Sequence, residues 1–173
     1  GGMLRDLQGH RLAVLRIGWS SDGARLASAS ADNTVKVWNA DTGEEQFTLA
    51  GHIGRVTRLD WSSGGDRIAT ASADGTAKIW DAADGTLLRT LFGHEKAVRA
   101  LEWSPGDNRL ITASDDGTSR IWYTESGGQL LTFTGHTAPV TAMDWSPDGQ
   151  WFATGSDDGT ARIWQIWKNA AGL

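Results

Sequence analysis

Four histidines, His10, His52, His94 and His136, stand 42 residues apart each time, and around each of them the same letters return at the same offsets. From His52 these letters are Trp61, Ser72, Asp74, Thr76 and Trp80, and the other three units repeat them without a slip. A chain built this way cannot fold each copy differently. Each unit must be one supersecondary element that buries its apolar face against the next, so the repeat sets the architecture before any local propensity is considered.

Within the second unit, residues 56–61 and 67–72 predict two strands joined by the turn Ser62-Ser63-Gly64-Gly65. Asp74-Gly75 then predicts a type I′ hairpin turn, with positive φ at both central residues. Residues 76–80 and 86–92 predict a third and a fourth strand. Asp32-Asn33, Asp116-Gly117 and Asp158-Gly159 hold the tight-turn position in the other units. No helical period competes with this pattern. Four short antiparallel strands per unit of this length are the mark of a β-propeller blade, and the expected class is all-β with four blades per chain. The blades are expected at about 10–49, 52–91, 94–134 and 136–164 within a repeat region 3–164, leaving a tail at 165–173 and Gly1-Gly2 as a cloning remnant.

Of ten tryptophans, eight fall on two repeat positions, enough aromatic area for a core between blades. The chain has no cysteine, which removes disulfide and thiol chemistry. Its formal net charge is −5 with signs interspersed, which argues against binding nucleic acid or anionic lipid. Neither a membrane-length apolar run nor a signal-peptide pattern is present, so a cytoplasmic protein is expected. Trp19, Trp61, Trp103 and Trp145 are expected as blade-to-blade core rather than base-stacking platforms. Trp151 is expected as half-buried blade surface and Trp167 as a tail residue. The pairs Asp115-Asp116 and Asp157-Asp158 lack the spacing of a calcium loop, and no metal or cofactor is expected.

The repeated Gly-His, Ser-x-Asp and terminal Trp resemble the WD-repeat β-propellers over residues 3–164. The Asp of the eponymous Trp-Asp pair survives only at Asp81, with Asn39, Tyr123 and Gln165 in its place elsewhere. The resemblance implies a structural network in each unit: His10, Ser30, Asp32 and Trp38; His52, Ser72, Asp74 and Trp80; His94, Ser114, Asp116 and Trp122; His136, Ser156, Asp158 and Trp164. In it the turn Asp accepts from His, His bonds Ser, and Ser bonds the indole. The same residue types make a hydrolase triad. Their fourfold recurrence favours structure, because a catalytic centre is built once.

Residues 3–8 align with the fourth strand at 129–134, whereas the fourth unit ends on its third strand. This offset leaves two closures open: a four-bladed ring closed on itself, or two chains exchanging that strand to make an eight-bladed ring. The second is favoured, because an open half-ring exposes two apolar faces. The resemblance further implies a protein-interaction scaffold without enzymatic activity, binding a protein or peptide through a rim at Leu15, Arg55, Thr57, Arg99, Asp115, Thr141 and Asp157. Alternatives are a purely structural or engineered half-propeller with no natural partner, and a small-molecule site in the central channel.

Overall fold

The computed structural model describes Gly2 and residues 4–166; Met3 and the tail residue Trp167 lie outside the described residues. Fifteen strands form four antiparallel sheets. The first sheet holds β1 (Val14–Trp19), β2 (Arg25–Ser30), β3 (Thr34–Asn39) and β4 (Glu45–Ala50), and the second β5 (Val56–Trp61), β6 (Arg67–Ser72), β7 (Ala77–Asp81) and β8 (Leu87–Leu91). The third holds β9 (Val98–Trp103), β10 (Arg109–Ser114), β11 (Ser119–Tyr123) and β12 (Gln129–Phe133). The fourth has only β13 (Val140–Trp145), β14 (Trp151–Ser156) and β15 (Ala161–Gln165). Strand order follows chain order in every sheet, as hairpin connections require.

The sheets stack face to face along the chain. β1 packs on β5, β5 on β9 and β9 on β13. Each interface is closed by alternate residues of the facing sheets: Val37 and Ile68 with Trp61, Ile79 and Leu110 with Trp103, Ile121 and Phe152 with Trp145. The stack does not return on itself, and β1 and β13 make no mutual packing contact of this kind. A four-bladed ring closed within one chain is therefore not the arrangement adopted.

The tight turn between second and third strands differs from the type I′ expectation. Gly75 alone has positive φ, at 84°, and Asp74 does not. Gly75 N–H bonds Ser72 O, and Ser72 N–H bonds Thr76 O. This is a three-residue hairpin, a type I turn followed by a left-handed residue. The geometry leaves Asp74 in an ordinary conformation with its carboxylate free to reach back to the preceding loop. Asn33 takes the left-handed position in the first sheet at φ 73°, which asparagine tolerates better than most side chains.

Residues 4–8, expected as a strand, make no sheet pairing within the chain. They lie instead on the turn between β3 and β4, where Arg5 Nε and Nη2 donate to Asp41 O at 3.2 and 2.7 Å. Gly43 in that turn faces Arg5 and Leu7 closely enough that a Cβ would press on both.

Candidate functional site

Each unit brings four side chains together at one end of its sheet. The His enters from the loop before the first strand, the Asp sits in the hairpin turn, and the Trp points inward from the third strand. In the second sheet His52 Nδ1 lies 2.8 Å from Asp74 Oδ2, and His52 Nε2 lies 2.8 Å from Thr70 Oγ1. Trp80 Nε1–H donates to the same Thr70 Oγ1 at 2.9 Å. Because an ionised carboxylate only accepts, the Nδ1 nitrogen carries the imidazole proton, and Nε2 is left to accept from the threonine hydroxyl. The bonds thus run in one direction, from indole to hydroxyl to imidazole to carboxylate.

The serines expected in this chain are elsewhere. Ser72 Oγ donates to Gly54 O at 2.8 Å and accepts from Asp74 N–H, and Ser30, Ser114 and Ser156 repeat these bonds with Leu12, Lys96 and Ala138. The hydroxyl that joins His to Trp comes two residues earlier, from Ser28, Thr70, Thr112 and Thr154. Residues two apart on a strand share a face, so either hydroxyl satisfies the alternation. The signal that marks the earlier one is that it too recurs as Ser or Thr in all four units.

The carboxylate is the hub. Asp74 also accepts from Ile53 N–H at 3.0 Å, Thr76 N–H at 2.9 Å and Thr76 Oγ1–H at 2.7 Å. Burial by itself would raise its pKa, but the donations from Thr76 and His52 outweigh it and hold the group below the usual carboxylate range, as those from Thr118 and His94 do at Asp116. Burial lowers the pKa of His52 and His94 despite the facing carboxylates, so both imidazoles are neutral at neutral pH. The hydroxyl beside the imidazole, Thr70, is fully buried with its bonds committed to Trp80 and His52. The hydrogen bonds of the assembly form a brace linking the loop before each blade to its hairpin turn.

A second series runs between blades. Asp60 Oδ2 accepts from Trp103 N–H at 3.3 Å, and Glu102 Oε2 accepts from Trp145 N–H at 3.1 Å. Burial pushes the Asp60 carboxyl up to about 6. Glu102 rises to about 7, first through burial and then through the neighbouring Asp144 and Asp60.

At the channel end, Leu15, Arg55, Thr57, Arg99, Asp115, Thr141 and Asp157 line a single cleft of about 690 Å³ together with Arg16, Arg58 and Pro139. Within it the expected contacts are not equivalent. Arg99 is held by Asp115 in a forked pair, Nε at 2.8 and 2.9 Å and Nη2 at 2.6 Å. Thr57 is buried, and its hydroxyl contacts Val98 O at 2.6 Å across the blade boundary. Arg55 is exposed. Arg16 and Arg58, which the sequence reading passed over, add to the positive side: burial, Arg16 and Arg99 all lower the Arg58 pKa. Units three and four carry Ala100 and Ala142 at that place, so the fold does not require a cation there.

Among the described residues no group of three or more His, Cys, Asp or Glu is placed to hold a metal ion, and no helix is long and apolar enough to cross a membrane. The sequence model of the WD domain, G-beta repeat, matches residues 1–39, 43–81, 85–123 and 127–165. The chain belongs to the WD-repeat family. The matched WD repeats are out of phase with the sheets, since each ends with the third strand of a sheet and the last three start just ahead of the outer strand of the sheet before. THO complex subunit 3 of Arabidopsis thaliana is 43% identical over 37 residues, 21% of this chain and 12% of that protein. Protein Notchless of Drosophila melanogaster is 44% identical over 43 residues, 25% of this chain and 9% of that protein. These matches span about a tenth of the relatives' length. A solved structure of U3-55K superimposes with a TM-score of 0.86 at 27% identity, covering 94% of this WD-repeat chain and 51% of that one.

Proposed function

We propose that this chain is a non-enzymatic protein-binding scaffold whose ring is completed when two copies exchange their outer strands, giving eight blades in the cytoplasm. The observation that carries the assembly is the placement of residues 4–8. Arg5 bonds Asp41 O, and 84 residues later Arg89 of the outer strand β8 bonds Glu125 O at 2.8 Å, both across 36 residues. Gly43 faces Arg5 just as Gly127 faces Arg89. Residues 4–8 thus occupy the place of an outer strand belonging to a preceding blade. Among the described residues, the sheet β13-β14-β15 is the one without such a strand.

Binding is assigned to this rim, where Arg55, Arg16 and Arg58 line the same cleft as Asp157. Recurrence supports a scaffold over an enzyme, because the His-Asp pair is present in every unit. The name of one relative, a subunit of the THO complex, agrees with a role in assemblies. Sedimentation equilibrium tests the assembly: a mass of twice 18.6 kDa is expected, and deletion of residues 3–8 should return the protein to the mass of one shortened chain. A wild-type chain that stays at 18.6 kDa overturns it. Partner capture that survives Arg55→Glu would overturn the rim assignment.

A further inference from the structure

The three interfaces inside the chain share one pattern, and the two uncovered faces are its separated halves. On the leading side, each interior Trp of the first strand points at the preceding blade. Trp61 Nε1–H donates to Gly18 O at 3.0 Å and Trp103 Nε1–H to Asp60 O at 3.2 Å. Trp19 holds this position in the first blade and is 57% exposed, against 7% for Trp61. On the trailing side, the third-strand residues Val37, Ile79 and Ile121 are buried at 1% or less, whereas their counterpart Ile163 is 76% exposed.

Two places break the pattern: the Trp145 indole N–H, unlike those of Trp61 and Trp103, is buried without a hydrogen-bond partner, and the residue that opens the second strand changes along the chain. Arg25 stacks over Trp61 with its Cζ 4.9 Å from the ring, and Arg67 stacks over Trp103 at the same distance. Arg109 follows in the third unit, and the fourth has Trp151, 40% exposed beside a cleft that also includes Asp144 and Ile163. The carboxylate series advances the same way. Gly18 has no side chain to offer, Asp60 and Glu102 each accept the backbone N–H of the next blade's Trp, and Asp144 is the exposed next member.

We propose that the trailing face of the fourth blade receives Trp19 of a second copy, with Trp151 stacking on that indole where interior blades use arginine, Ile163 packing beneath it and Asp144 accepting its backbone N–H. This rests on the exchange of outer strands proposed above, and it adds a face-to-face seam that strand exchange does not itself require. A ring of two chains then has two identical seams, each distinguished from the six interior interfaces by an aromatic pair. Such a pair is selective because it marks the ends: a second copy offers Trp19 together with its own Trp151 face, and association closes after two chains when the four blades of each turn half of the ring proposed above.

The test is sedimentation equilibrium on the full chain, Trp19→Ala, Trp151→Ala and Trp151→Arg, with near-ultraviolet circular dichroism on each. Both alanine variants should keep the wild-type far-ultraviolet spectrum, since the two side chains are exposed in the single chain, and should weaken dimerisation about tenfold or more. Trp151→Arg, which restores the interior chemistry, should still dimerise while losing the signal of coupled tryptophans. A wild-type dimer whose affinity is unchanged in both alanine variants overturns the seam and leaves strand exchange standing. A wild-type chain that never dimerises overturns both, leaving the face to some other occupant.

Discussion

The middle of the stack and its two ends carry the same sequence in different surroundings. Trp61 and Trp19 occupy one repeat position, yet the first is sealed between blades and the second faces solvent. Val56 is fully buried, while the equivalent Val14 is half exposed. Within each end blade the brace is nonetheless intact, with His10 at 2.9 Å from Asp32 and His136 at 2.8 Å from Asp158. Hydrogen-bonded order is therefore local to a unit, and hydrophobic order is shared between units. That is the energetic form of a repeat protein, where stability is the sum of intrinsic and nearest-neighbour terms.

This division can be broken most severely at the core tryptophans. Trp61→Ala removes a large buried side chain and should cost about 3 to 5 kcal/mol in urea unfolding at any protein concentration. Trp19→Ala should cost a dilute single chain within about 0.5 kcal/mol. Equal losses at the two positions would mean that the ends are covered even in isolation. At the next level, Asp74→Ala strips the hub from His52, Thr76 and Ile53 and should lower stability by about 1 to 3 kcal/mol, seen as a lower melting temperature. A variant that melts like wild type would make the brace dispensable.

A smaller effect of opposite sign is expected at Glu102. Its carboxyl is raised from 4.5 to about 7 in the fold, so the folded state holds a proton that the unfolded chain has already released. That contribution to stability is full below pH 4.5 and is lost as pH rises through about 7. Glu102→Gln keeps an acceptor for Trp145 N–H and should be about 1 kcal/mol more stable than wild type at pH 8, the partly solvated site reducing the gain, and no different at pH 4. His52 and His94 act the other way: with their pKa lowered by burial, they favour the fold above the ordinary histidine range and oppose it as acid charges the unfolded chain. The smallest change is Arg55→Ala, an exposed rim substitution expected to leave stability within about 0.5 kcal/mol. A larger loss would assign Arg55 to the interior network.

Most of the blade was legible because its cues are local. The first- and second-strand boundaries follow from Trp61 and from the turns around Gly65 and Gly75, and the link between His52 and Asp74 follows from a spacing kept in every unit. The turn type was missed because Asp-Gly fits both a two-residue and a three-residue hairpin, and only the bond from Ser72 N–H to Thr76 O separates them. The hydroxyl of the brace was misplaced because Thr70 and Ser72 share a face, and depth along the strand decides which one meets Trp80. At the rim, Arg55 and Arg99 read alike as letters. Asp115, brought alongside by the turn between β10 and β11, neutralises only Arg99.

By itself the sequence determined a 42-residue unit of β-strands and the link between its His and its turn Asp, because those depend on contacts within some twenty residues that recur identically. Only the tertiary structure decided that the four units stack as an open series, that residues 4–8 lie on the turn between β3 and β4, and that Trp19, Trp151 and Ile163 are left uncovered. Burial is a property of the neighbouring blade, and a repeat cannot encode, in letters that every unit shares, which of its members has no neighbour.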